Sequence, residues 1–287
     1  MNSEKLISDL VKTGNFADFI EKSQMKIRNN FINLRKLLID VAYNSGKGHI
    51  GSALSVLDLC FVIGNCMDGL GTSSTQRDRF VLSKGHAALA WYVTLYDLGI
   101  ISEEQLNSYG TNGTLLGTHP DPELNGVDFL TGSLGQGISF GLGSAFASSI
   151  KNEKWKTFVL LSDSELNEGS TFETLAIAGH HKLNNLVVFF DKNEQQALGF
   201  TKDVLNFKSE IDLVANLGWS TFEVDGHDHA QIAEVIEKAK KSNKPVFILA
   251  HTTLGKGISF MERKIEWHYK NFDDDLYAQA TKELEVQ

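Results

Sequence analysis

Apolar residues recur at helical spacing over residues 16–43 of the chain. Positions three and four apart lie on one side of a helix, so this spacing predicts a long helix with a buried face. The turn signal NSGKGHIGS follows, and a second apolar helix is predicted from about Ala53 to Cys66. We expect residues 1–18 to form a flexible N-terminal arm and residues 19–287 to form one domain.

Short apolar runs later in the chain predict five β-strands: Phe80–Leu82, Phe158–Leu161, Leu186–Phe190, Thr221–Val224 and Val246–Ala250. Helical segments separate these strands, including one that begins near His86, one rich in small residues within 131–150, and Ala230–Lys240. Strands that alternate with helices predict an α/β fold, a doubly wound and mainly parallel sheet with helices on both faces. The tail from Asn271 is expected to form an exposed terminal helix.

Composition narrows the class of protein. A chain of 287 residues with 42% hydrophobic residues can bury a sizeable core. Its formal net charge of −9 argues against nucleic-acid binding, which needs clustered Lys and Arg. It contains no apolar run of about 18 residues that would span a membrane, and no signal-peptide core. Cys60 and Cys66 lie in an apolar run and are expected to be buried, reduced thiols, so a cytoplasmic location is predicted.

Several familiar motifs are missing from the sequence. It has no GxxxxGK[ST] and no HExxH, and no GxGxxG can be written through the glycine-rich run GSLGQGISFGLGS. No Cys and His residues have the spacing of zinc ligands. The adjacent pair His180–His181 is predicted to have a capping or surface role.

Polar residues follow two of the predicted strands. Asp163 ends the strand at Leu161, and Asn193 follows the strand at Phe190. Ligands of parallel sheets bind beyond the carboxyl ends of the strands, and Ser170 with Glu173 predicts a capping box that turns the helix N-terminus toward the same edge. Side-chain oxygens together with a backbone carbonyl near Gln195 suit Mg²⁺. These residues alone leave open an ordinary βαβ unit with polar turns.

Six blocks of sequence decide between these interpretations. In order they are SGKGHIGSALSVLDL, RDRFVLSKGHAALAWY, GTHPDPELNGVDFLTGSLGQGISFGLG, residues 160–199, EVDGHDH and HTTLGKGISFMERKIEWH. Together they resemble the thiamine-diphosphate-binding half of transketolases over about residues 20–285. The chain is similar to the N-terminal component of a split transketolase, in which two polypeptides share one enzyme.

The resemblance implies a cofactor site for thiamine diphosphate and Mg²⁺, or another divalent cation such as Ca²⁺ or Mn²⁺. Asp163 and Asn193 match side-chain metal ligands of the family, and Gln195 matches a position that gives a backbone carbonyl. Gly132 and Leu134 match the loop that lies against the cofactor's rings.

The resemblance also implies a set of catalytic residues. His86 and His268 match histidines near the diphosphate and the reacting carbons, and His49 and His119 match those that contact substrate hydroxyls and the attacked carbonyl. Glu168 matches a carboxylate that helps to relay protonation across the subunit interface. Histidine suits carbonyl polarisation and proton transfer because its pKa lies near neutrality.

The sequence departs from the family at a few positions. Ser162 and Ser164 flank Asp163 where glycines are usual, Ile50 replaces a proline within GHIGS, and Leu198 stands where Asp is frequent. Glycine lets the backbone approach a diphosphate closely, whereas the Ser164 hydroxyl could bind a phosphate oxygen. We expect cofactor binding to persist with weaker affinity.

The family's catalytic glutamate belongs to the pyrimidine-binding domain, which this sequence does not match. The chain is therefore expected to be inactive alone and to need a transketolase C-terminal subunit that carries the glutamate, as a heterotetramer acting on sugars or sugar phosphates. Alternatives are another thiamine-diphosphate carboligase, such as a deoxyxylulose-phosphate synthase or a branched-sugar-forming enzyme, and a non-catalytic paralogue that binds a partner.

Overall fold

The computed structural model describes residues 16–286, with side-chain burial from Phe31 onward. The α-helices are α1 (Phe16–Ser45), α2 (Ile50–Cys66), α3 (Ala88–Asp97), α4 (Glu103–Asn107), α5 (Gly137–Ile150), α6 (Gly169–His180), α7 (Thr201–Val204), α8 (Glu210–Asn216), α9 (His229–Lys240) and α10 (Asp274–Glu285). The strands are β1 (Arg79–Leu82), β2 (Thr157–Ser162), β3 (Leu186–Lys192), β4 (Gln195–Gln196), β5 (Gly199–Phe200), β6 (Ser220–Asp225) and β7 (Val246–His251). Single 3₁₀ turns cover Gly85–Ala87, Asp163–Asn167 and Ile265–His268.

Five strands form one parallel sheet in the order β1-β2-β3-β7-β6. Every predicted strand is present, and each differs from its predicted bounds by one or two residues at most. The α/β fold with a parallel sheet is therefore confirmed. The short strands β4 and β5 pair antiparallel as a separate hairpin after β3.

Side chains alternate along the central strands and build two hydrophobic layers. Phe158 and Leu160 of β2 pack with helices α1, α2, α3 and α9, whereas Val159 and Leu161 pack with α5, α6 and α8. Neighbouring residues of a strand point to opposite faces, so an entirely apolar strand is the pattern of a sheet covered on both sides.

The connections that leave β3 and β7 place a crevice at the carboxyl edge of the sheet. After β3 the chain reaches α8, whose Val214 is buried on the α5–α6 face. After β7 the chain packs Leu284 and Ile258 on the opposite face. The chain leaves these neighbouring strands toward opposite faces of the sheet. A crevice therefore forms between their carboxyl ends, and this is where α/β sheets bind ligands.

The structure corrects two expectations and leaves a third untested. Helix α10 is not simply exposed, because Ala280 and Leu284 are buried in the core. Cys60 is buried, but Cys66 is only partly buried; both thiols are free. The predicted N-terminal arm overlaps α1 at residues 16–18, and the rest of it lies outside the described residues.

The predicted capping box at Ser170 and Glu173 is wrong. The residue that caps α6 is Glu168, which makes no side-chain capping hydrogen bond. The Ser170 hydroxyl instead donates to the carbonyl of Gly135, 2.9 Å away. The helix begins at Gly169, one residue before the SxxE pattern, because the 3₁₀ turn Asp163–Asn167 runs almost directly into it. Among the described residues, no helix is long and apolar enough to cross a membrane.

Candidate active site at the carboxyl edge of the sheet

Asp163 is the first residue after β2 and is almost completely buried. Its Oδ2 accepts hydrogen bonds from the backbone amides of Asn193, at 3.0 Å, and Glu194, at 2.8 Å. Its Oδ1 is buried without a hydrogen-bond partner. Burial, together with the charge of Asp191, raises the pKa of Asp163 to about 8. A buried carboxylate with one unpaired oxygen is suited to a cation.

Asn193 follows β3 and has a fixed amide orientation. Its Oδ1 accepts from the backbone amide of Gln195 at 2.9 Å. Its Nδ2 donates to Asp191 at 3.0 Å and to the Ser55 hydroxyl at 3.2 Å. The structure thus brings Asp163, Asn193 and Gln195 together, as the sequence predicts, through hydrogen bonds between the turns after β2 and β3.

The residues at this edge fit a hard divalent cation. Among the described residues, no three His, Cys, Asp or Glu side chains converge as metal ligands. A cation here would therefore depend on Asp163 together with amide and carbonyl oxygens, the donor type that Mg²⁺ and Ca²⁺ prefer. The unpaired Oδ1 of Asp163 is the observation that supports this fit.

Three of the four predicted histidines form a compact triangle. The ring centroids of His49 and His86 are 5.2 Å apart, those of His49 and His268 5.5 Å, and those of His86 and His268 5.4 Å. Glycine at position 51 permits this approach, because a Cβ there would lie 2.8 Å from the carbonyl oxygen of Trp267. The start of α2 and the turn that carries His268 can therefore pack backbone against backbone.

All three imidazoles of this triangle are held neutral. Burial, together with His49 and the positive charge of Lys84, lowers the pKa of His268 to about 4. Burial and the charge of Lys84 hold the pKa of His86 well below its ordinary value. The pKa of His49 is lowered by burial and then by His119. At neutral pH these rings can donate or accept hydrogen bonds without carrying charge.

His119 lies on the loop side of the same site. A Cβ on Gly132 would be 3.3 Å from its ring, and Tyr92 donates to its backbone carbonyl at 3.0 Å. The same loop also packs against the turn that carries His86. The absence of a side chain at Gly85 permits this contact, because a Cβ there would lie 2.6 Å from the carbonyl oxygen of Thr131. Burial lowers the pKa of His119. The predicted cofactor loop with exposed Gly132 and half-buried Leu134 therefore lies beside both His119 and the His86 turn.

Glu168 is exposed at the start of α6, where it lies beside Gly135. A neighbouring carboxylate, Glu165, was missed by the sequence reasoning. It is completely buried, accepts from the hydroxyl of Ser83, and accepts from the amides of Gly135 at 3.0 Å and Ser162 at 2.9 Å. Burial raises the pKa of Glu165. It joins the ends of β1 and β2 to the Gly132–Gly135 loop.

A second polar group beneath the site was also missed. Lys84 and Asp191 are buried and form an ion pair, and Asp191 accepts further hydrogen bonds from Ser55 and Thr252. The sequence did contain a signal for this ion pair. Lys84 and Asp191 each come shortly after a run of apolar residues, where an unpaired charge would be costly.

Ser162 and Ser164 adopt backbone conformations open to any residue. Neither is among the described residues with positive φ, and their hydroxyl oxygens are 3.2 Å apart. The glycines that the family uses here are therefore not needed for the backbone conformation of this turn. Leu198 lies at the tip of the β4–β5 hairpin and is 85% exposed.

Fold and site together define an α/β protein with a buried carboxylate, amide and carbonyl oxygens, and neutral histidines at one sheet edge. The family model of the transketolase thiamine diphosphate binding domain matches residues 27–287. The chain belongs to this transketolase family.

Individual relatives agree with that assignment. One is a subunit of the apulose-4-phosphate transketolase of Phocaeicola vulgatus, 37% identical over 256 residues that cover 87% of this chain and 90% of the relative. Another is the 6-deoxy-6-sulfo-D-fructose transketolase subunit SqwG from a Clostridium species, 32% identical over 93% of this chain and 99% of the relative. The similarity to the N-terminal component of a split transketolase, predicted from the sequence, is confirmed.

Solved structures show the same relationship in three dimensions. The crystal structure of transketolase from Campylobacter jejuni superposes with a TM-score of 0.81 at 28% identity. The match covers 88% of this chain and 41% of that one. The chain thus spans nearly the whole length of its relatives from split transketolases and about two fifths of this single-chain transketolase.

Proposed function

We propose that this protein is the thiamine-diphosphate-binding subunit of a two-component transketolase that moves a two-carbon ketol unit between sugars. The observation that carries the proposal is the meeting of Asp163, Asn193 and three neutral histidines at one sheet edge. The names of the split relatives support the reaction class. Thiamine diphosphate, when bound, supplies the electron sink for the carbon–carbon bond change.

Asp163, Asn193 and the backbone carbonyl of Gln195 would hold Mg²⁺, or Ca²⁺ or Mn²⁺, against the cofactor's diphosphate. Asp163 supports this assignment through its unpaired Oδ1. Ser164 is half-buried beside Asp163, and its hydroxyl is a donor within the same turn. Gly132 and Leu134 would form the wall against the cofactor's rings, since their loop lies beside His119.

The histidines would handle the substrate's oxygens and protons. Nδ1 of His49 and Nδ1 of His268 are both buried without a partner, so each is free to exchange a hydrogen bond with a bound group. Together with His86 and His119 these rings would polarise the attacked carbonyl and take up the hydroxyl proton. Their lowered pKa values keep them neutral, the form that can accept a proton.

The active form would contain a C-terminal transketolase subunit that carries the catalytic glutamate, arranged as a heterotetramer. Relatives named as transketolase subunits, which this chain matches over 90% and 99% of their length, support this. Glu168, exposed beside the cofactor loop, would relay protonation to the neighbouring subunit. The substrates would be ketoses with a terminal phosphate or sulfonate, as the names of the split relatives indicate.

Calorimetric titration of the co-expressed complex with thiamine diphosphate and Mg²⁺ tests the proposal. We expect saturable cofactor binding by the complex and ketol transfer in an assay against a panel of ketose donors. The single chain should show no ketol transfer. Asp163→Asn should weaken cation-dependent cofactor binding roughly tenfold to a hundredfold, because the neutral amide loses the charge that faces the cation. The matched control is Asp203→Asn, an exposed position.

Absence of cofactor binding by the assembled complex would contradict the proposal. So would full ketol transfer by the purified single chain, because the second subunit would then be unnecessary.

A further inference from the structure

Lys84 is a cation buried inside the carboxyl edge of the sheet. It follows β1 by two residues and precedes His86 by two. Only 1% of its surface is exposed, and its Nζ donates to Oδ2 of Asp191. Burying an ammonium group is unfavourable unless a carboxylate compensates it, so the position of Lys84 depends on Asp191.

Asp191 collects four donors, three of which come from distant parts of the chain. Besides Lys84 it accepts from the hydroxyl of Ser55 in α2, at 2.9 Å, and from the hydroxyl of Thr252 after β7. It also accepts from Nδ2 of Asn193, at 3.0 Å. A carboxylate that is fully buried and fully paired is held in one orientation.

The ion pair crosses the end of an intervening strand. The sheet order is β1-β2-β3, so Lys84 after β1 and Asp191 near the end of β3 are not on neighbouring strands. Among the salt bridges of the described residues, no other joins the turn after β1 to the end of β3 or β7. The pair therefore ties the His86 turn to the Asn193 turn directly, across the end of β2.

Lys84 also acts on the histidines through its charge. Burial is the largest cause of the lowered pKa of His49, His86 and His268, and the charge of Lys84 lowers each of them further. The other groups that face these rings are His119, the Tyr269 ring beside His49 and His268, and the three imidazoles themselves. Lys84 lowers the pKa of the carboxyls of Asp163 and Glu165 as well.

We propose that Lys84 is a positioning residue of this site: through Asp191 it fixes the Asn193 amide and the His86 turn, and its ammonium places a buried positive charge beside that turn. The first part concerns geometry and the second concerns charge, so the two are separable by substitution. The link to catalysis rests on the proposed transketolase function, whereas the effect on the histidines does not.

Lys84→Gln and Lys84→Arg separate these roles. Gln removes the charge but can still donate to Asp191, and Arg keeps the charge. Nuclear magnetic resonance titration of the histidine side chains in the full chain is the readout. In Lys84→Gln we expect the proton affinity of His86 and His268 to rise roughly tenfold, whereas Lys84→Arg should resemble the wild type. The exposed control Lys208→Gln should leave both titrations unchanged.

Unchanged titration of His86 and His268 in a folded Lys84→Gln chain overturns the proposal. If that variant does not fold, the wild-type chain decides, because each of the three histidines is expected to titrate below the ordinary value of about 6.5. Titration of any of them near 6.5 overturns the proposal.

In the assembled complex the same variants test the link to catalysis. Lys84→Gln should weaken cation-dependent cofactor binding roughly tenfold and move the acidic limb of the pH–rate profile to higher pH, and Lys84→Arg should restore that limb. An unshifted acidic limb in an active Lys84→Gln complex overturns the catalytic part. A wild-type complex without ketol transfer would instead contradict the proposed function, while the histidine titration still decides the role of Lys84.

Discussion

His49 has a left-handed backbone conformation, with φ of 67°, directly before α2. A residue with a Cβ adopts this conformation at a cost of about 1 kcal/mol or more, and such residues cluster at functional sites. The packing of α2, whose residues 50–64 are buried, holds the position in place. The consequence is that the His49 ring faces His86 and His268 rather than solvent.

The lowered pKa of His268 predicts a pH-dependent loss of stability. Its pKa is about 4 in the folded chain against an ordinary 6.5. Above pH 6.5 both states are neutral, and between 6.5 and 4 only the unfolded chain binds the proton, so stability falls as the pH falls through this window. From pH 7 to pH 5 we expect His268 to account for a loss of about 2 kcal/mol.

Urea unfolding of the wild type and of His268→Gln at the two pH values measures this contribution. The variant should lose less stability than the wild type on acidification, because it cannot be protonated. His180→Gln, at an exposed position, should behave like the wild type. Identical pH dependence of the wild type and His268→Gln would contradict the assignment.

At the scale of elements, helix α10 is attached to α1 by a stacked pair of rings and by polar contacts. The rings of Tyr43 and Tyr277 stack with centroids 4.0 Å apart. The Tyr277 hydroxyl donates to Asp40 at 2.7 Å, and the Tyr43 hydroxyl donates to Asp274 at 2.8 Å. The helix is amphipathic, and few residues form its buried face. The polar residues of its exposed face therefore dominate the sequence pattern.

Leu284→Ala tests whether α10 belongs to the core. Leu284 is 1% exposed, and removing a buried leucine side chain costs about 3 kcal/mol. Chemical unfolding should therefore show a loss of about that size in the free energy of unfolding. Val286→Ala, at a residue that is 82% exposed, is the control and should change little. Equal stability of the two variants would show that α10 is not docked in solution.

At the scale of the whole molecule, Asp58 joins distant parts of the chain. This buried residue of α2 accepts from Arg35 of α1 at 2.6 Å, and lies 2.8 Å from His227 Nδ1 and 2.7 Å from His229 Nε2. The amide of Thr253 donates to Nε2 of His227, so the proton of this ring is on Nδ1, which donates a hydrogen bond to Asp58. Arg35 and the neighbouring histidines hold the pKa of Asp58 well below its usual range, against the effect of burial.

Asp58→Asn should destabilise the whole fold. The substitution leaves the Arg35 guanidinium without a carboxylate, and breaking such a buried pair costs about 3 kcal/mol or more. The free energy of unfolding at pH 7 measures the loss, with exposed Asp203→Asn as the matched control. A loss below about 1 kcal/mol in the free energy of unfolding would mean that the contacts of Asp58 do not stabilise the fold.

The sequence by itself determined the order of elements and the family. Wholly apolar strands between helices require a sheet covered on both sides, and six ordered motifs identify a transketolase-type domain. It also predicted that Asp163 and Asn193 follow neighbouring strands, because both residues stand where an apolar run stops.

Only the tertiary structure decided which polar groups meet. The pairing of Lys84 with Asp191, the Asp58 cluster and the three-ring contact of His49, His86 and His268 each join segments far apart in the chain. Such contacts depend on strand order and on the crossing of helices, which no local spacing encodes. The start of α6 shows the same limit, because the preceding 3₁₀ turn, set by contacts of the buried Glu165, prevailed over the local SxxE signal.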